Sequence, residues 1–382
     1  MRSRKLPRAL DAGKSAARAY RGVASIVVRA AKIVGINLLV LFVLLVPIEL
    51  VFGSWFSPAG AISLSFGAAP NMLRVFSSPL YPDRPTIVYR RDANGFRGPG
   101  VDPARIDIVA IGGSTTNELW LAEEDTWTLK LQTLLQQRGC PETIANSGVD
   151  GYTTQGHIAS FDGWFDRIPG LKPRFVLAYI GINDVALDAN APRLRLIKGS
   201  DTGPLARFSA YIAANSAVYR LYSQLRGWWH ARQAGLAHGM AVVRQDAVWR
   251  PAPLSASQLD YIRAEASGYR GRLEQLNARI HAFGARPIYV TQLRIDGRQV
   301  DGIWQETGDW SGAMSVATLQ ALDRELLGFC REKGETCIDL AGKLVIPTDE
   351  FYDPMHTTPA GSAHIAQFLA DELAPIVCGP PR

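Results

Sequence analysis

Two short segments of the 382-residue chain carry side chains suited to nucleophilic catalysis. The first, Gly112-Gly113-Ser114-Thr115-Thr116-Asn117, places a serine directly after two glycines, which allow a sharp turn that exposes the hydroxyl. The second, Asp353-Pro354-Met355-His356, places a carboxylate three residues before a histidine. Such a carboxylate can accept a hydrogen bond from the imidazole, fix its tautomer and stabilise its cation. Together the segments indicate a serine nucleophile with a histidine base, although each alone is more common as an ordinary turn.

Two further segments offer hydrogen-bond donors for a negatively charged oxygen. Asn146-Ser147-Gly148-Val149-Asp150-Gly151 contains a glycine, Gly148, with an unhindered backbone N–H. Gly181-Ile182-Asn183-Asp184 contains an amide side chain, Asn183, that can donate to an oxyanion. The structural alternatives are a plain turn for the first segment and helix capping by Asn or Asp for the second.

The elements that must position these residues alternate between strands and helices from residue 105 onward. Short apolar runs predict five strands, at 106–111, 143–146, 175–180, 287–291 and 337–340. Strands alternating with helices predict a three-layer α/β/α fold with a five-stranded parallel sheet. The four chemical segments follow the first, second, third and fifth strands. Because ligands bind at the carboxyl ends of parallel strands, we expect these segments to meet at one edge of the sheet.

Helix boundaries are predicted from caps and glycines. Asp125 is predicted to cap the first helix, and Gly139 to end it. Ser255 and Gln258 form a potential capping box before a long amphipathic helix, and the last helix is predicted to begin at Thr358-Pro359. The stretch of about 185–256, rich in Tyr, Trp and Arg, lacks strand signals and is interpreted as a helical insert.

The ordered set Ser114, Gly148, Asn183, Asp353 and His356 resembles the four blocks of the SGNH (GDSL-like) hydrolases, over about residues 105–375. The segment Glu124-Asp125-Thr126-Trp127, which follows the Gly-Gly-Ser-Thr-Thr turn, is similar to a branch of bacterial membrane-anchored envelope proteins in this family.

The resemblance implies a flavodoxin-like SGNH fold for a domain at 105–378, with Ser114 as the nucleophile, His356 as the general base and Asp353 orienting it. It also implies an oxyanion hole made by the Ser114 N–H, the Gly148 N–H and the Asn183 side chain. Gly113 stands where the family usually has Asp in Gly-Asp-Ser, which leaves the exact shape of this turn open.

The N-terminal part of the chain has the pattern of a membrane anchor. Residues 1–32 contain nine Lys or Arg and one acid, Asp11, and residues 33–56 are almost entirely apolar apart from Glu49. About 20 apolar residues span a bilayer, and the preceding positive charge predicts a cytoplasmic N-terminus. We therefore expect a single-pass inner-membrane protein with a periplasmic catalytic domain. A cleaved signal peptide, with Ala59-Gly60-Ala61 as the cleavage site, is the alternative. Residues 57–104 are interpreted as a linker and an entry segment.

Charge and cysteine content exclude several kinds of partner. Beyond residue 32, basic residues number 32 and acidic residues 34, so no nucleic-acid surface is expected. The four cysteines, Cys140, Cys330, Cys337 and Cys378, contain no C-x-x-C pair, so no metal site is predicted, and the expected chemistry needs no cofactor. A bridge between Cys330 and Cys337 is possible in an oxidising compartment, but the sequence does not choose among the three full pairings.

The family branch implies an acylated envelope or exported polysaccharide as the substrate, and proteins of polysaccharide biosynthesis as possible partners. We expect an O-acetyl esterase. The alternatives are an O-acetyltransferase on the same glycans, a lipid esterase or thioesterase, and a non-catalytic glycan-binding subunit that keeps the fold.

Overall fold

The computed structural model describes residues 29, 32–37, 39–50, 68, 70–84, 86–185, 216, 218, 222, 248–307 and 312–378. These residues belong to two compact units. One contains the N-terminal helix together with residues 216, 218 and 222, and the other contains the remainder. The predicted cytoplasmic tail lies almost wholly outside the described residues, as do residues 51–67 and most of the predicted insert.

The N-terminal unit is built on helix α1, Lys32–Leu50, whose mean hydropathy is 2.6. This helix is long and apolar enough to span a membrane or to act as a signal sequence. The one acid in its apolar run, Glu49, is hydrogen-bonded: its carboxylate accepts from the Ser216 hydroxyl at 2.5 Å and from the Val218 N–H at 3.0 Å.

The central sheet of the larger unit has five parallel strands, β3 Ile108–Gly112, β4 Ile144–Asn146, β5 Phe175–Tyr179, β7 Arg286–Val290 and β10 Thr336–Ile338. They are arranged in the order β10-β7-β5-β3-β4. Alternate residues of β3 enter different cores: Val109 and Ile111 pack on one side of the sheet, Ile108 and Ala110 on the other. The predicted five-stranded parallel sheet is confirmed.

Helices cover both faces of this sheet, which confirms the three layers. They are α2 Ser114–Asn117, α3 Trp127–Gln137, α4 Thr154–Gly163, α5 Ala256–Ala282, α6 Gly312–Lys333, α7 Leu340–Lys343 and α8 Pro359–Val377. Residues of α4, α5 and α6 form the core on one face, and residues of α3 and α8 form it on the other.

The caps of these helices agree with the sequence except at α3. Ser255 and Gln258 form the predicted capping box of α5, and Thr358 caps α8 with Pro359 in its first turn. The cap predicted at Asp125 is wrong by one residue, because Asp125 ends a 3-10 turn and Thr126 occupies the N-cap of α3.

Two smaller sheets accompany the central one. Strands β1, Leu73–Ser77, and β2, Thr86–Arg90, form an antiparallel hairpin in the entry segment. Strands β6 Trp249–Pro251, β8 Gly297–Val300 and β9 Ile303–Thr307 form an antiparallel sheet in the order β6-β9-β8. The expectation that the stretch of about 185–256 contains no strand is therefore wrong at β6. The three-residue β6 is too short for an alternating pattern, and its hydrogen-bond partners come from β9, far along the chain.

All four cysteines form disulfides, Cys140–Cys378 and Cys330–Cys337. The first joins the segment after α3 to the end of α8, and the second joins the end of α6 to β10. The pairing that the sequence left open is thereby resolved, and disulfides of this kind persist in oxidising compartments.

Candidate active site

Ser114 lies two residues beyond the end of β3, as the first residue of the short helix α2. The two preceding glycines are required by close packing. A Cβ on Gly112 would come 2.7 Å from the Tyr179 carbonyl oxygen, and a Cβ on Gly113 would come 2.3 Å from Asn183 Nδ2. The Gly-Gly pair thus lets the serine turn sit against the end of β5 and against the Asn183 side chain.

The side chains of Ser114, His356 and Asp353 form a continuous hydrogen-bonded relay. Ser114 Oγ lies 2.7 Å from His356 Nε2, and His356 Nδ1 lies 2.5 Å from Asp353 Oδ2. Both His356 and Ser114 are buried. The structure therefore brings together three residues that the sequence separates by up to 242 positions, in the arrangement that activates a serine hydroxyl.

The loop that carries the histidine is held by its own residues. Asp353 Oδ1 accepts the backbone N–H groups of Met355 and His356 at 2.9 and 2.8 Å. The Tyr352 ring stacks on the His356 imidazole, with ring centroids 5.5 Å apart and an angle of 8° between planes. Burial would raise the pKa of Asp353, but the hydrogen bond and charge of His356, with the two backbone N–H groups, hold that pKa below its ordinary value.

Asn183 lies in the 3-10 turn after β5 and faces the serine turn across Gly113. Its Nδ2 donates to the Tyr152 carbonyl oxygen at 2.9 Å. The next residue, Asp184, is buried and has a separate role: it accepts from the Thr154 N–H and hydroxyl and pairs with Arg272. Asp184 thus fixes the first turn of α4, while the Asn183 amide stays beside the nucleophile.

Gly148 differs from the predicted oxyanion arrangement. Its N–H donates to Asn146 Oδ1 at 2.9 Å, so the structure does not present this N–H to a ligand. A side chain at Gly148 would also collide with the backbone, because an added Cβ would come 2.3 Å from the Asn117 nitrogen. Close packing against the Asn117 backbone therefore explains why residue 148 is a glycine. In the same loop, Gly151 has a φ of +74° and open space where a side chain would be.

Two long-range side chains support the serine turn and were not found from the sequence. Gln292, just beyond β7, donates to Thr115 Oγ1 at 2.9 Å and accepts the Ile182 N–H at 2.7 Å. Trp127, the first residue of α3, donates its indole N–H to the Thr115 carbonyl oxygen at 3.0 Å. Gln292 follows a predicted strand end, which was the one available signal. Trp127 stands at helical spacing with Leu131 and in the family-like motif, and neither pattern predicts its contact with Thr115.

Glu118, whose carboxyl group is buried, connects the serine turn to α3. Glu118 follows α2 in the left-handed conformation, with φ of 48°, and its Oε2 accepts the Trp127 N–H at 2.8 Å. Burial raises the pKa of Glu118 to about 8, against the opposing effects of the Trp127 N–H and the charge of Arg97. Burial therefore favours the protonated form of Glu118.

A family model described as GDSL-like Lipase/Acylhydrolase matches residues 110–364, more than half of the chain. The chain belongs to this family. Its catalytic-domain fold and its serine, histidine and aspartate relay are those of a GDSL-like serine esterase.

The solved structures that match this chain share little sequence with it. A member of the lipolytic protein G-D-S-L family from Veillonella parvula is 12% identical, with a TM-score of 0.39 over 70% of this chain and 97% of its own. A catalytic mutant of Axe2, an acetylxylan esterase from Geobacillus stearothermophilus, is 15% identical, with a TM-score of 0.40 over 70% of this chain and 93% of its own. None of the curated proteins compared with the chain matches it.

Proposed function

We propose that this esterase works through a covalent acyl-enzyme formed on Ser114. His356 Nε2 takes the hydroxyl proton while Ser114 Oγ attacks the ester carbonyl carbon, and Asp353 stabilises the resulting imidazolium. His356 then returns the proton to the leaving alcohol oxygen as the ester bond breaks. Water, deprotonated by His356, releases the acyl group as a carboxylic acid and restores the serine. The hydrogen-bonded relay from Ser114 through His356 to Asp353 carries this proposal.

The proposed oxyanion donors are the Ser114 N–H, at the start of α2, and the Asn183 side chain, which lies against Gly113. A third donor is proposed to come from the loop 148–151. The Gly148 N–H would first have to leave Asn146 Oδ1, whereas Gly151 is exposed in the same loop and adjoins Tyr152, whose carbonyl accepts from Asn183. Gly151 is accordingly the better candidate in this loop. Loss of one such donor typically lowers kcat by about 10²–10³-fold.

The proposed substrate is an O-acetylated envelope or exported polysaccharide, and the proposed location of the catalytic domain is the periplasm, anchored to the inner membrane by α1. Two observations support the location. Eight Lys or Arg residues precede α1, and the catalytic domain carries two disulfides. A domain outside the cytoplasm has access to exported glycans, whose acetyl esters match the reaction class.

The nucleophile is tested with Ser114→Ala in the full-length protein, and Ser257→Ala, at an exposed position of α5, serves as the matched control. Hydrolysis of p-nitrophenyl acetate and labelling by a fluorophosphonate should both be lost in Ser114→Ala. Both should be unchanged in Ser257→Ala. Continued labelling or turnover by Ser114→Ala would show that another residue is the nucleophile.

The substrate is tested by incubating the wild-type protein with O-acetylated polysaccharide and an unacetylated sugar acceptor. Free acetate is the expected product. Acetylated acceptor in place of acetate would identify a transferase. Turnover restricted to long-chain p-nitrophenyl esters would identify a lipid esterase instead.

A further inference from the structure

Arg91, a buried arginine of the entry segment, forms hydrogen bonds with residues that lie beside the active site. Its guanidinium donates to the Tyr89 hydroxyl at 2.8 Å and to the Gly95 carbonyl oxygen at 2.7 Å, both within its own segment. It also reaches two distant groups, Asn117 Oδ1 at 2.8 Å and the Gly148 carbonyl oxygen at 2.6 Å. Arg91 is only 2% exposed, so these hydrogen bonds are made away from water, where losing them is costly.

The two distant partners of Arg91 belong to the two sides of the proposed oxyanion site. Asn117 is the last residue of α2, the helix that begins at Ser114, and Gly148 begins the loop that runs to Gly151. The same Asn117 also donates its Nδ2 to Asp150 Oδ1 at 2.8 Å. Arg91 therefore holds this loop directly at Gly148 and through Asn117 at Asp150.

A second arginine of the entry segment, Arg97, attaches the segment to the same region. Its guanidinium donates to the carbonyl oxygens of Asn117, Glu118 and Leu121, and its backbone N–H donates to the Asn146 carbonyl oxygen at 2.8 Å. These Arg97 hydrogen bonds go to carbonyl groups of residues 117–121 and of β4, and the guanidinium also lies over the Tyr89 ring. Of the two arginines, only Arg91 bonds to a residue of the loop 148–151.

We propose that Arg91 is a positioning residue that locks the loop 148–151 to the serine turn, so that the entry segment completes the active site. A planar guanidinium suits this task because its donors form a fixed fork that reaches two acceptors at once. Arg91 lies upstream of the residues that the family model matches. This inference rests on the proposed function, since it assigns Arg91 an effect on the same oxyanion site.

The test compares Arg91→Gln and Arg91→Lys in the full-length detergent-solubilised protein, with Arg90→Gln as the matched control. Arg90 is the neighbouring residue and pairs with Glu123 at the surface. We measure kcat and KM for p-nitrophenyl acetate per active site, with sites counted by fluorophosphonate titration. Arg91→Gln should lower kcat about 10–100-fold with little change in KM, because displacement of about 1 Å in an active site costs on the order of 10²-fold. Arg91→Lys should recover part of the loss, and Arg90→Gln should match the wild type.

Two further readouts separate positioning from simple structural support. The pH profile of kcat/KM should be unchanged in Arg91→Gln, because Arg91 does not contact His356 or Asp353. In a double-mutant cycle with Asn183→Ala, the combined loss should be smaller than the product of the single losses, since both changes act on the same oxyanion. If Arg91→Gln folds poorly, Tyr89→Phe removes one donor to Asn117 Oδ1, at 2.9 Å, and should lower kcat in the same manner.

A wild-type value of kcat per titrated site in Arg91→Gln and in Tyr89→Phe would overturn the inference and leave the proposed function standing. A shifted pH profile would also overturn it, because the effect would then pass through the histidine. A wild-type protein that hydrolyses no ester would overturn the proposed function, and this inference with it.

Discussion

The two sides of the active site are stabilised in different ways. On the histidine side, Asp353 accepts hydrogen bonds from residues two and three positions later, and Tyr352 stacks on the ring four positions later. On the serine side, the turn that begins at Ser114 is held by Trp127, 12 residues from its partner Thr115, and by Gln292, 177 residues away. The histidine loop therefore largely fixes its own geometry, whereas the serine turn depends on groups brought to it by the fold.

This difference separates two kinds of functional defect. A change in the histidine loop acts on the proton relay itself and should leave the remaining fold intact. A change in a distant support of the serine turn removes buried hydrogen bonds that also stabilise the domain, so kcat and stability should fall together. Measuring kcat and Tm for each variant therefore tests whether the two sides of the active site differ in this way.

The largest effect is expected for Asp353→Asn. The amide cannot hold the imidazole in the same tautomer or stabilise its cation, so kcat should fall by about 10⁴-fold while KM changes little. Ester hydrolysis and Tm are measured together, with Asp349→Asn, an exposed neighbour in the preceding turn, as the control. A loss of kcat below about tenfold would show that His356 is oriented by another group, against the self-contained histidine loop described above.

An intermediate effect on both quantities is expected for Gln292→Met, which keeps the volume but removes the donor to Thr115 and the acceptor for the Ile182 N–H. Leaving a buried N–H unpaired costs about 1–3 kcal/mol, so Tm should fall, and kcat should fall about tenfold as the serine turn loosens. Chemical denaturation and kcat per titrated site are the measurements, and exposed Gln299→Met is the control. An unchanged kcat in a destabilised Gln292→Met would mean that the serine turn, too, holds its own geometry.

The same difference explains which parts of the fold and of the active site could be predicted from the sequence. Strands β3, β5 and β7 are continuous apolar runs and were predicted within two residues at each end, because burial on both faces leaves a clear pattern. The residues of the relay were found because each follows a strand, and parallel strands bring their carboxyl ends to one edge. The hydrogen bonds of Asp353 join residues close in sequence, so the Asp-x-x-His spacing predicted its pairing with His356.

The supports of the serine turn escaped prediction because nothing local marks them. Arg91 lies in the entry segment and Gln292 just past a strand, but they donate to acceptors 57 and 177 residues away. Gly148 shows the reverse error. The sequence predicts a free backbone N–H at Gly148. In the structure, a glycine is required here because the Asn117 backbone is close, and the Gly148 N–H donates to Asn146 Oδ1.

The smallest effect on kcat is expected for Glu118→Gln. This variant tests whether the buried carboxyl group on the serine side carries a proton. Burial raises its pKa from an ordinary 4.5 to about 8. Between these values the folded protein holds a proton that the unfolded chain has lost, so the free energy of unfolding falls as pH rises through this range and levels off above it. The variant keeps an oxygen that can accept the Trp127 N–H and has no proton to lose.

Thermal unfolding of the wild type and Glu118→Gln at pH 5, 6.5 and 8 measures this effect. At pH 5 the two Tm values should be close, because protonated Glu and Gln are both neutral. At pH 8 the variant should be the more stable of the two, with kcat per titrated site within about threefold of the wild type, since Glu118 contacts the start of α3 rather than the relay. Parallel Tm curves across this pH range would mean that Glu118 is ionised in the fold. The buried charge of Arg97 beside it would then be paired, and the serine turn would rest on an ion pair as well as on neutral hydrogen bonds.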